Sequence, residues 1–521
     1  MTTPSRTYAQ AVDALNSLQS NAAVIEAIRK SGGKGGDHQL REQVEYMNRI
    51  GYSAEDLNRM NVLHITGTKG KGSTSAFVSS LLTTLAPQAK VGLYTSPHMV
   101  AVRERIRING EPISEDSFTR YFWEVWDKLE AEKKTADPDT AEKPAYFRYL
   151  TIMVMHVFLQ EKVDATILEV GVGGTYDSTN IVPSPITTGV TALGIDHIWV
   201  LGKTLPEIAA QKGGIYKAGT PALAIQQPEG LDVLSSRAKE LHASSFTVVP
   251  EHPEMSTIKL GLAGAHQRQN ASLAVALVQS FLASERCPPA FSPVSSPPSP
   301  SFSASSDVLT SLPTSLIAPS PLPSQYVEAL QNARWPGRCQ VEQDKEVSSV
   351  RWFLDGAHTV ESLKCCGEWW DEVALRSPTP ATRVLIFNCT SGRSGLSLLS
   401  SLVSSFSSSM QPFKHVIFCT NTTYASGDSK GDLTSNAVDS KDLETLATQH
   451  ELASAWSELT ASIPDAEEKA EVHVLGSIQE AVELVRAEGK KEGEGEGDVQ
   501  ALVTGSLHLV GGVMAVAEVP L

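Results

Sequence analysis

Cysteine is scarce in this 521-residue chain. The six present are Cys287, Cys339, Cys365, Cys366, Cys389 and Cys419; all fall in the second half, with no C-x-x-C pair among them. That spacing argues against a disulfide framework or a zinc site and points to a reducing compartment. Cys365 and Cys366 read as buried helix cysteines rather than reactive thiols. Positive charge is also in deficit: 43 Lys and Arg against 59 Asp and Glu give a net charge of −16. Nucleic acid and anionic membrane surfaces are therefore poor main partners, although a local lysine cluster could still hold a small anion. No apolar run approaches the ~18–20 residues of a spanning helix, so stable membrane insertion is not expected. The N-terminus lacks the basic and apolar regions of a secretory signal. An amphipathic helix is expected from Tyr8 to Ile28, but it is not especially rich in arginine. Cytoplasm is the expected location, with a mitochondrial matrix form as the alternative. The rest is ordinary: 41% hydrophobic and 20% charged residues, enough chain for two or three domains, and no internal repeat.

The informative stretch runs from Asn61 to Ser73. Val62–Ile65 is a short apolar run of the kind that forms a buried strand, and Thr74–Leu85 has helical apolar spacing. Between them lie Gly67, Thr68, Lys69, Gly70, Lys71, Gly72 and Ser73. Strand, glycine loop, helix is the arrangement that wraps backbone N–H groups around phosphates. Lys71 would give a point charge to the outer phosphates, and Ser73 a hydroxyl near an accompanying Mg²⁺. The usual phosphate loop ends Gly-Lys-Ser/Thr, whereas here Gly72 separates Lys71 from Ser73, which argues against an ordinary GTPase or kinase. The plainer alternative is a glycine turn carrying solvated lysines. Ser31–Gly36 looks similar but follows a helix-like segment, and a flexible linker is expected there.

Helices are expected at 39–50, 54–60, 115–131, 146–161, near 205, near 231–242 and at 271–282, and strands near 90–94, at 164–169, 187–193 and 221–225. Two of these strands end on candidate ligands. Glu169 closes one, at the sheet end where open α/β folds bind ligands; Asp196 and His197 follow another. A carboxylate buried there needs a partner, either a metal or a structural ion pair. The charged and apolar residues of Arg103–Gly110 read either as an exposed strand with solvated charges or as a basic loop over a carboxylate-bearing substrate. His156 reads as a core or boundary residue. Cys287–Ser324 holds 10 prolines and 12 serines in 38 residues and should not fold. The expected organisation is residues 1–286 as a domain carrying the phosphate loop, 287–331 as a disordered Pro/Ser-rich linker, and 332–521 as a second α/β domain. Its strands are expected at 350–354, 383–388, 415–419, 472–475 and 500–504, with surface insertions at 423–442 and 488–498.

The ordered set of motifs resembles the folylpolyglutamate synthases of the Mur ligase superfamily, over about residues 40–282 and 332–521. The loop at Gly67–Ser73 carries it, with Thr-Ser-Pro-His before Arg103–Gly110, Leu-Glu-Val-Gly-Val-Gly-Gly-Thr-Tyr-Asp-Ser-Thr-Asn from Leu168 to Asn180, and Gly-Ile-Asp-His ending at His197. Gln-Lys-Gly-Gly-Ile from Gln211, Ala-Gly-Ala-His-Gln ending at Gln267, Trp-Pro-Gly-Arg ending at Arg338 and Asp-Gly-Ala-His-Thr from Asp355 complete it. Arg-Ile-Arg-Ile-Asn-Gly and Gln-Lys-Gly-Gly-Ile are closer to the eukaryotic type.

The resemblance implies an α/β fold: an N-terminal P-loop ATPase domain of Mur ligase type and a smaller Rossmann-like C-terminal domain, with the active site between them. It implies ATP phosphates on Gly67–Ser73, further nucleotide contacts from Gln267, Asn270, Arg338, Asp355 and His358, and Mg²⁺ ligands at Ser96, Glu169 and His197. Lys212 matches a carbamylated lysine; Lys71, Lys212 and His197 are the implied catalytic residues, and a monovalent cation such as K⁺ is a further candidate. The implied substrates are folates, L-glutamate and ATP, and a monomer is expected. Two alternatives stay open: dihydrofolate synthase, the same chemistry on dihydropteroate, and a non-catalytic nucleotide-binding protein.

Overall fold

The computed structural model describes residues 6–19, 36–133, 135, 140–291, 321–375, 381–389, 394–406, 413–426, 445–461, 470–493 and 498–520. It divides into two units. The first comprises Met1–His98, Arg103–Gly261 and His266–Arg334, and the second Met99–Val102, Leu262–Ala265 and Trp335–Leu521.

The first unit is built on eight strands: β1 (Val62–Thr66), β2 (Val91–Tyr94), β3 (Ile106–Ile108), β4 (Glu111–Pro112), β5 (Ala165–Glu169), β6 (Thr187–Val190), β7 (Pro221–Ile225) and β8 (Ser245–Val249). Their order is β4-β3-β2-β5-β1-β6-β7-β8. The six strands from β2 to β8 run parallel, and β3 and β4 add an antiparallel edge. Both β1 and β5 are buried along their whole length, which explains why they read as continuous apolar runs. From β1 the chain goes on to β2 on one side, and from β6 to β7 on the other. The crevice between the C-terminal ends of β1 and β6 is thus the sheet's switch point, where ligands bind in open α/β sheets.

Helix Lys71–Leu85 leaves β1 directly and packs against helices Gln267–Leu282 and Ser324–Asn332. The last of these corrects the expected linker: residues 324–331 are helical, and Ser80 Oγ donates to the Ala329 carbonyl at 2.7 Å. Its sequence, SQYVEALQN, contains no proline and puts Tyr326, Ala329 and Leu330 into the core. Residues 292–320 of the expected linker, and 31–35 of the second glycine loop, lie outside the described residues. Helices Glu115–Ala131 and Tyr146–Glu161 have the expected bounds and meet through Phe122, Tyr149 and Trp126. His156 is buried among them, hydrogen-bonded to Tyr52 and Glu124.

The second unit has six strands: β9 (Gln340–Gln343), β10 (Val350–Leu354), β11 (Ala381–Phe387), β12 (His415–Cys419), β13 (Glu471–Leu475) and β14 (Asp498–Thr504). The order is β13-β12-β11-β14-β10-β9, parallel except for β9. Side chains alternate across a strand, and here both faces are cores. Trp352, Leu354, Val384, Ile386 and Ile417 pack on one face with helices Ile478–Gly493 and Leu507–Val516. Phe353, Leu385, Phe387, Val416 and Phe418 pack on the other with helices Val360–Trp370, Gly395–Val403 and Ala447–Thr460. Full burial of one such side chain is worth about 1.5–3 kcal/mol. The insertion expected at 488–498 begins too early: Glu488 is buried within helix Ile478–Gly493. Residues 427–444 and 494–497 lie outside the described residues. Among the described residues no helix is long and apolar enough to cross a membrane.

Asp344 ties this unit together. Its carboxylate accepts from the Trp352 indole N–H at 2.9 Å, from Arg486 at 3.0 and 3.1 Å, and from the N–H groups of Glu346 and Val347. Truncating it leaves the indole N–H unmet and the largely buried guanidinium with only the exposed Glu346 carboxylate, at 2.7 Å, as its ion-pair partner. Asp344→Ala should cost about 3–5 kcal/mol of stability, read by urea unfolding of the full chain; a loss under about 1 kcal/mol, the size of one ordinary hydrogen bond, would contradict this role.

Candidate active site

Leaving β1, the chain turns through Gly67 (φ 153°) and Gly70 (φ 88°). A Cβ on Gly67 would lie 1.8 Å from Thr191 Oγ1, and one on Gly70 2.3 Å from Asn270 Oδ1, so neither position admits another residue without rearrangement. Thr68 and Lys69 both donate backbone N–H groups to the Ala192 carbonyl, at 2.8 and 3.1 Å. Thr191 Oγ1 donates to the Lys69 carbonyl at 2.6 Å, and Thr68 Oγ1 to that of Gly194 at 3.0 Å. The segment after β6 therefore holds the loop after β1 from the side. Gly70 is the N-cap of helix Lys71–Leu85 and offers no capping side chain to its first-turn N–H groups. Those donors, with the helix dipole behind them, make a socket for an anion.

Two lysines converge on this turn. Lys71 Nζ donates to the Gly67 carbonyl at 3.1 Å, and Lys212 Nζ donates to the same oxygen at 2.7 Å. Lys212 comes from the end of helix Leu205–Lys212 and is 3% exposed. On the other flank, Gln267 Nε2 donates to Ser73 Oγ at 3.2 Å and Asn270 Nδ2 to Gln267 Oε1 at 2.9 Å. Both belong to the first two turns of helix Gln267–Leu282, which begins four residues earlier than its apolar pattern suggests.

Glu169, the buried last residue of β5, accepts from the Ser96 backbone N–H at 3.3 Å. The structure thus brings two of the expected metal ligands together. His197 is left-handed at φ 47°, stands at the N-cap position of the short helix Ile198–Leu201 without a side-chain capping bond, and is half exposed, with Nε2 3.9 Å from Asp196 Oδ2. Burial, with the charges of Lys71, Lys212 and Lys69, lowers its pKa against the pull of Asp196.

From the sequence, Thr191 has no assigned role and Asp177 only a place in the motif from Leu168 to Asn180. Asp177 is buried and accepts from the N–H groups of Gly171, Val172 and Thr179 and from Thr179 Oγ1, so it shapes the glycine turn after Glu169. Its place as N-cap in Asp-Ser-Thr-Asn was the available signal. The Arg103–Gly110 block is not an exposed strand: Glu104, Arg105 and Arg107 are each under 8% exposed. Arg105 Nε donates to His98 Nδ1 at 2.9 Å and its guanidinium lies over Tyr146; Arg107 donates to the Gly110 carbonyl.

In the second unit, Asp355 follows β10 and accepts from the N–H groups of Cys339 and Ala357 at 2.9 and 3.0 Å. His358 Nδ1 lies 2.8 Å from the Gly356 carbonyl. Arg338 precedes Cys339, its guanidinium near Gly356. All six cysteines are free; burial pushes the thiols of Cys339, Cys366 and Cys419 up.

Comparison with known proteins bears on this arrangement. Residues 338–516 match the family model described as dihydrofolate synthetase, C-terminal domain. A folylpolyglutamate synthase of Neurospora crassa is 42% identical over 527 residues, covering 99% of this chain and 93% of that protein. One of Saccharomyces cerevisiae is 43% identical over 521 residues, covering 98% and 87%.

The chain belongs to the folylpolyglutamate synthase family.

The fold agrees with solved structures. Mycobacterium tuberculosis folylpolyglutamate synthase complexed with ADP and AMPPCP matches with a TM-score of 0.65 at 21% identity, covering 92% of this chain and 95% of that one. The apo form of L. casei FPGS matches at a TM-score of 0.64 and 20% identity, covering 98% of each chain. For a member of this family the residues here fit a nucleotide's phosphates: the helix after Gly70 starts without a capping side chain, and the amines of Lys71 and Lys212 meet at the same turn. Ser96 and Glu169 offer the oxygen donors that a hard divalent cation takes.

Lys212 has a consequence for stability. Burial, reinforced by Lys71, lowers its pKa from 10.5 to about 7 against Asp196 and Asp177. The unfolded chain therefore holds a proton that the folded chain releases between those two values. The resulting penalty is complete below pH 7 and fades as pH rises toward 10.5. Lys212→Met removes it, so in CO₂-free buffer the variant's stability relative to wild type should be greater at acid than at alkaline pH, by a few kcal/mol. Urea unfolding at the two extremes measures this; a difference that does not change with pH would contradict it.

Proposed function

We propose that the chain is an ATP-dependent ligase that adds L-glutamate to the γ-carboxylate of a (tetrahydro)folyl-(poly)glutamate, giving ADP and phosphate. The observation that carries this reading is the near-full-length identity of 42–43% to proteins named folylpolyglutamate synthase. The phosphate-shaped loop at the switch point supplies its physical basis.

A carboxylate is a poor acyl donor. In the proposed reaction its oxygen attacks the γ-phosphorus of ATP, ADP departs, and an acyl phosphate forms. The α-amine of glutamate then attacks the acyl carbon; phosphate leaves and the amine loses a proton, leaving an amide. Charge gathers on the transferring phosphoryl group, where the first-turn N–H groups and Lys71 act. Gln267 and Asn270 hold the nucleotide side of the loop, and Arg338, Asp355 and His358 are proposed as nucleotide residues of the second unit. Ser96, Glu169 and His197 would hold Mg²⁺, which when bound offsets phosphate charge. Lys212, with a neutral amine available near pH 7, is proposed to capture CO₂ as a carbamate and so exchange a positive charge for a negative one beside that cation; K⁺ is a further candidate ligand. We take the protein to act as a cytoplasmic monomer, with a mitochondrial form as the alternative.

The description of the matching C-terminal family model favours one second reading, dihydrofolate synthase. Purified protein with Mg²⁺-ATP and L-glutamate should release ADP when tetrahydrofolate is added, with a product heavier by glutamate units. Release only with dihydropteroate would move the assignment to the second reading. Release without either would overturn both.

A further inference from the structure

We propose that His415, Glu471 and His473 form a binding site for a zinc-class divalent cation on the edge of the second unit's sheet. β12 and β13 pair in parallel with His415 opposite Glu471 and Ile417 opposite His473. Glu471 and His473 are two residues apart on one strand and so share a face. It is the face on which Ile417 and Leu475 pack under helix Ile478–Gly493.

The donor atoms already converge. His415 Nδ1 lies 3.1 Å from His473 Nε2 and 3.5 Å from Glu471 Oε2, and His473 Nε2 lies 3.9 Å from Glu471 Oε1. Four ligands about 2.0–2.1 Å from a tetrahedral Zn²⁺ sit roughly 3.3 Å from one another, so only small side-chain adjustments separate this triangle from a coordination shell. Two imidazoles and one carboxylate, with a fourth position left to water, suit Zn²⁺ and its borderline neighbours better than Mg²⁺.

A second observation points the same way. His415 is 8% exposed at its side chain, and its Nε2, on the ring edge away from the cluster, makes no hydrogen bond. It faces the buried Glu488 carboxylate at 3.6 Å. Glu488 is fixed in turn by Lys414 and Lys491. Carboxylate, histidine, metal is the arrangement that sets the tautomer and ring orientation of a ligating imidazole. With Nε2–H directed at Glu488, Nδ1 is left as the lone-pair donor toward the cluster.

His415 and Glu471 open their strands, at the opposite end of the sheet from Asp355. The site therefore stands apart from the proposed ligase chemistry. A cation there would join the edge strand β13 to β12.

The test uses untagged full-length protein in excess Mg²⁺, with Zn²⁺ as the probe in equilibrium dialysis and in thermal unfolding. Wild type should bind one Zn²⁺ per chain at this site and unfold at higher temperature with it. His473→Ala and Glu471→Gln, both at partly or fully exposed positions, should weaken that binding by more than about tenfold and abolish the thermal shift, and Glu488→Gln should weaken it about 10–100-fold. Equal Zn²⁺ binding by wild type and both ligand variants would place the metal elsewhere, for example on the free thiols, and would overturn the proposal. Absence of binding to wild type would overturn it as well.

Discussion

One carbonyl oxygen, that of Gly67, receives the amines of both Lys71 and Lys212. Burial makes a charged amine at Lys212 costly, and the ammonium of Lys71 on the same acceptor adds repulsion. Lys212 accordingly gives up its proton far more easily than an ordinary lysine. The place where they meet lies at the switch point of the sheet, in front of an uncapped helix N-terminus. An incoming polyphosphate would relieve the repulsion and meet the open N–H groups together. The surrounding structure serves to hold this turn. Thr191 and Ala192 brace it from β6, and Asn270 and Gln267 brace it from helix Gln267–Leu282, which packs along the loop's own helix.

The second unit depends on a different constraint. Its sheet is covered on both faces, so a polar group on an interior strand loses water and gains most from a buried partner. Two carboxylates that enter are knotted: Asp344 with Trp352 and Arg486, and Asp355 with the backbone of Cys339 and Ala357. The second knot places a carboxylate at the C-terminal end of β10 without leaving it unsatisfied. Such rigid support suits a residue that must keep its direction for a ligand.

Much of this was legible in the sequence, for physical reasons. Strands at 221–225, 350–354 and 415–419 match their expected bounds because largely buried strands are short, mostly apolar runs. Helices 115–131 and 146–161 match because their periodic apolar residues face one core. What escaped was decided by tertiary surroundings. β9 (Gln-Val-Glu-Gln) has no apolar run and exists because β10 offers it an antiparallel edge. Arg105 and Arg107 carry charges that usually stay in water, yet pairing of β3 with β2 takes Arg107 inside, and Arg105, just before β3, accepts the Thr95 N–H at its carbonyl and is buried as well. Helix Ser324–Asn332 was hidden by the proline-rich neighbours preceding it. Met99–Val102 and Leu262–Ala265 group with the second unit although they are far from it in sequence, and no local pattern announces that. Within the site, the loop lysines and Glu169 were readable from strand ends and glycines. Thr191 was not, because a threonine after a strand carries no signal until its partner loop is known.

We propose that the Gly67–Ser73 turn works on phosphate through Lys71. The most direct measurement is the turnover of Lys71→Ala alongside its thermal unfolding. Lys71 makes one weak hydrogen bond to the protein, so the fold should survive with a loss of about 1 kcal/mol or less. Turnover should fall about 10²–10³-fold, the scale of removing one charge-stabilising group from a transition state. Near-normal turnover in a folded variant would contradict the account.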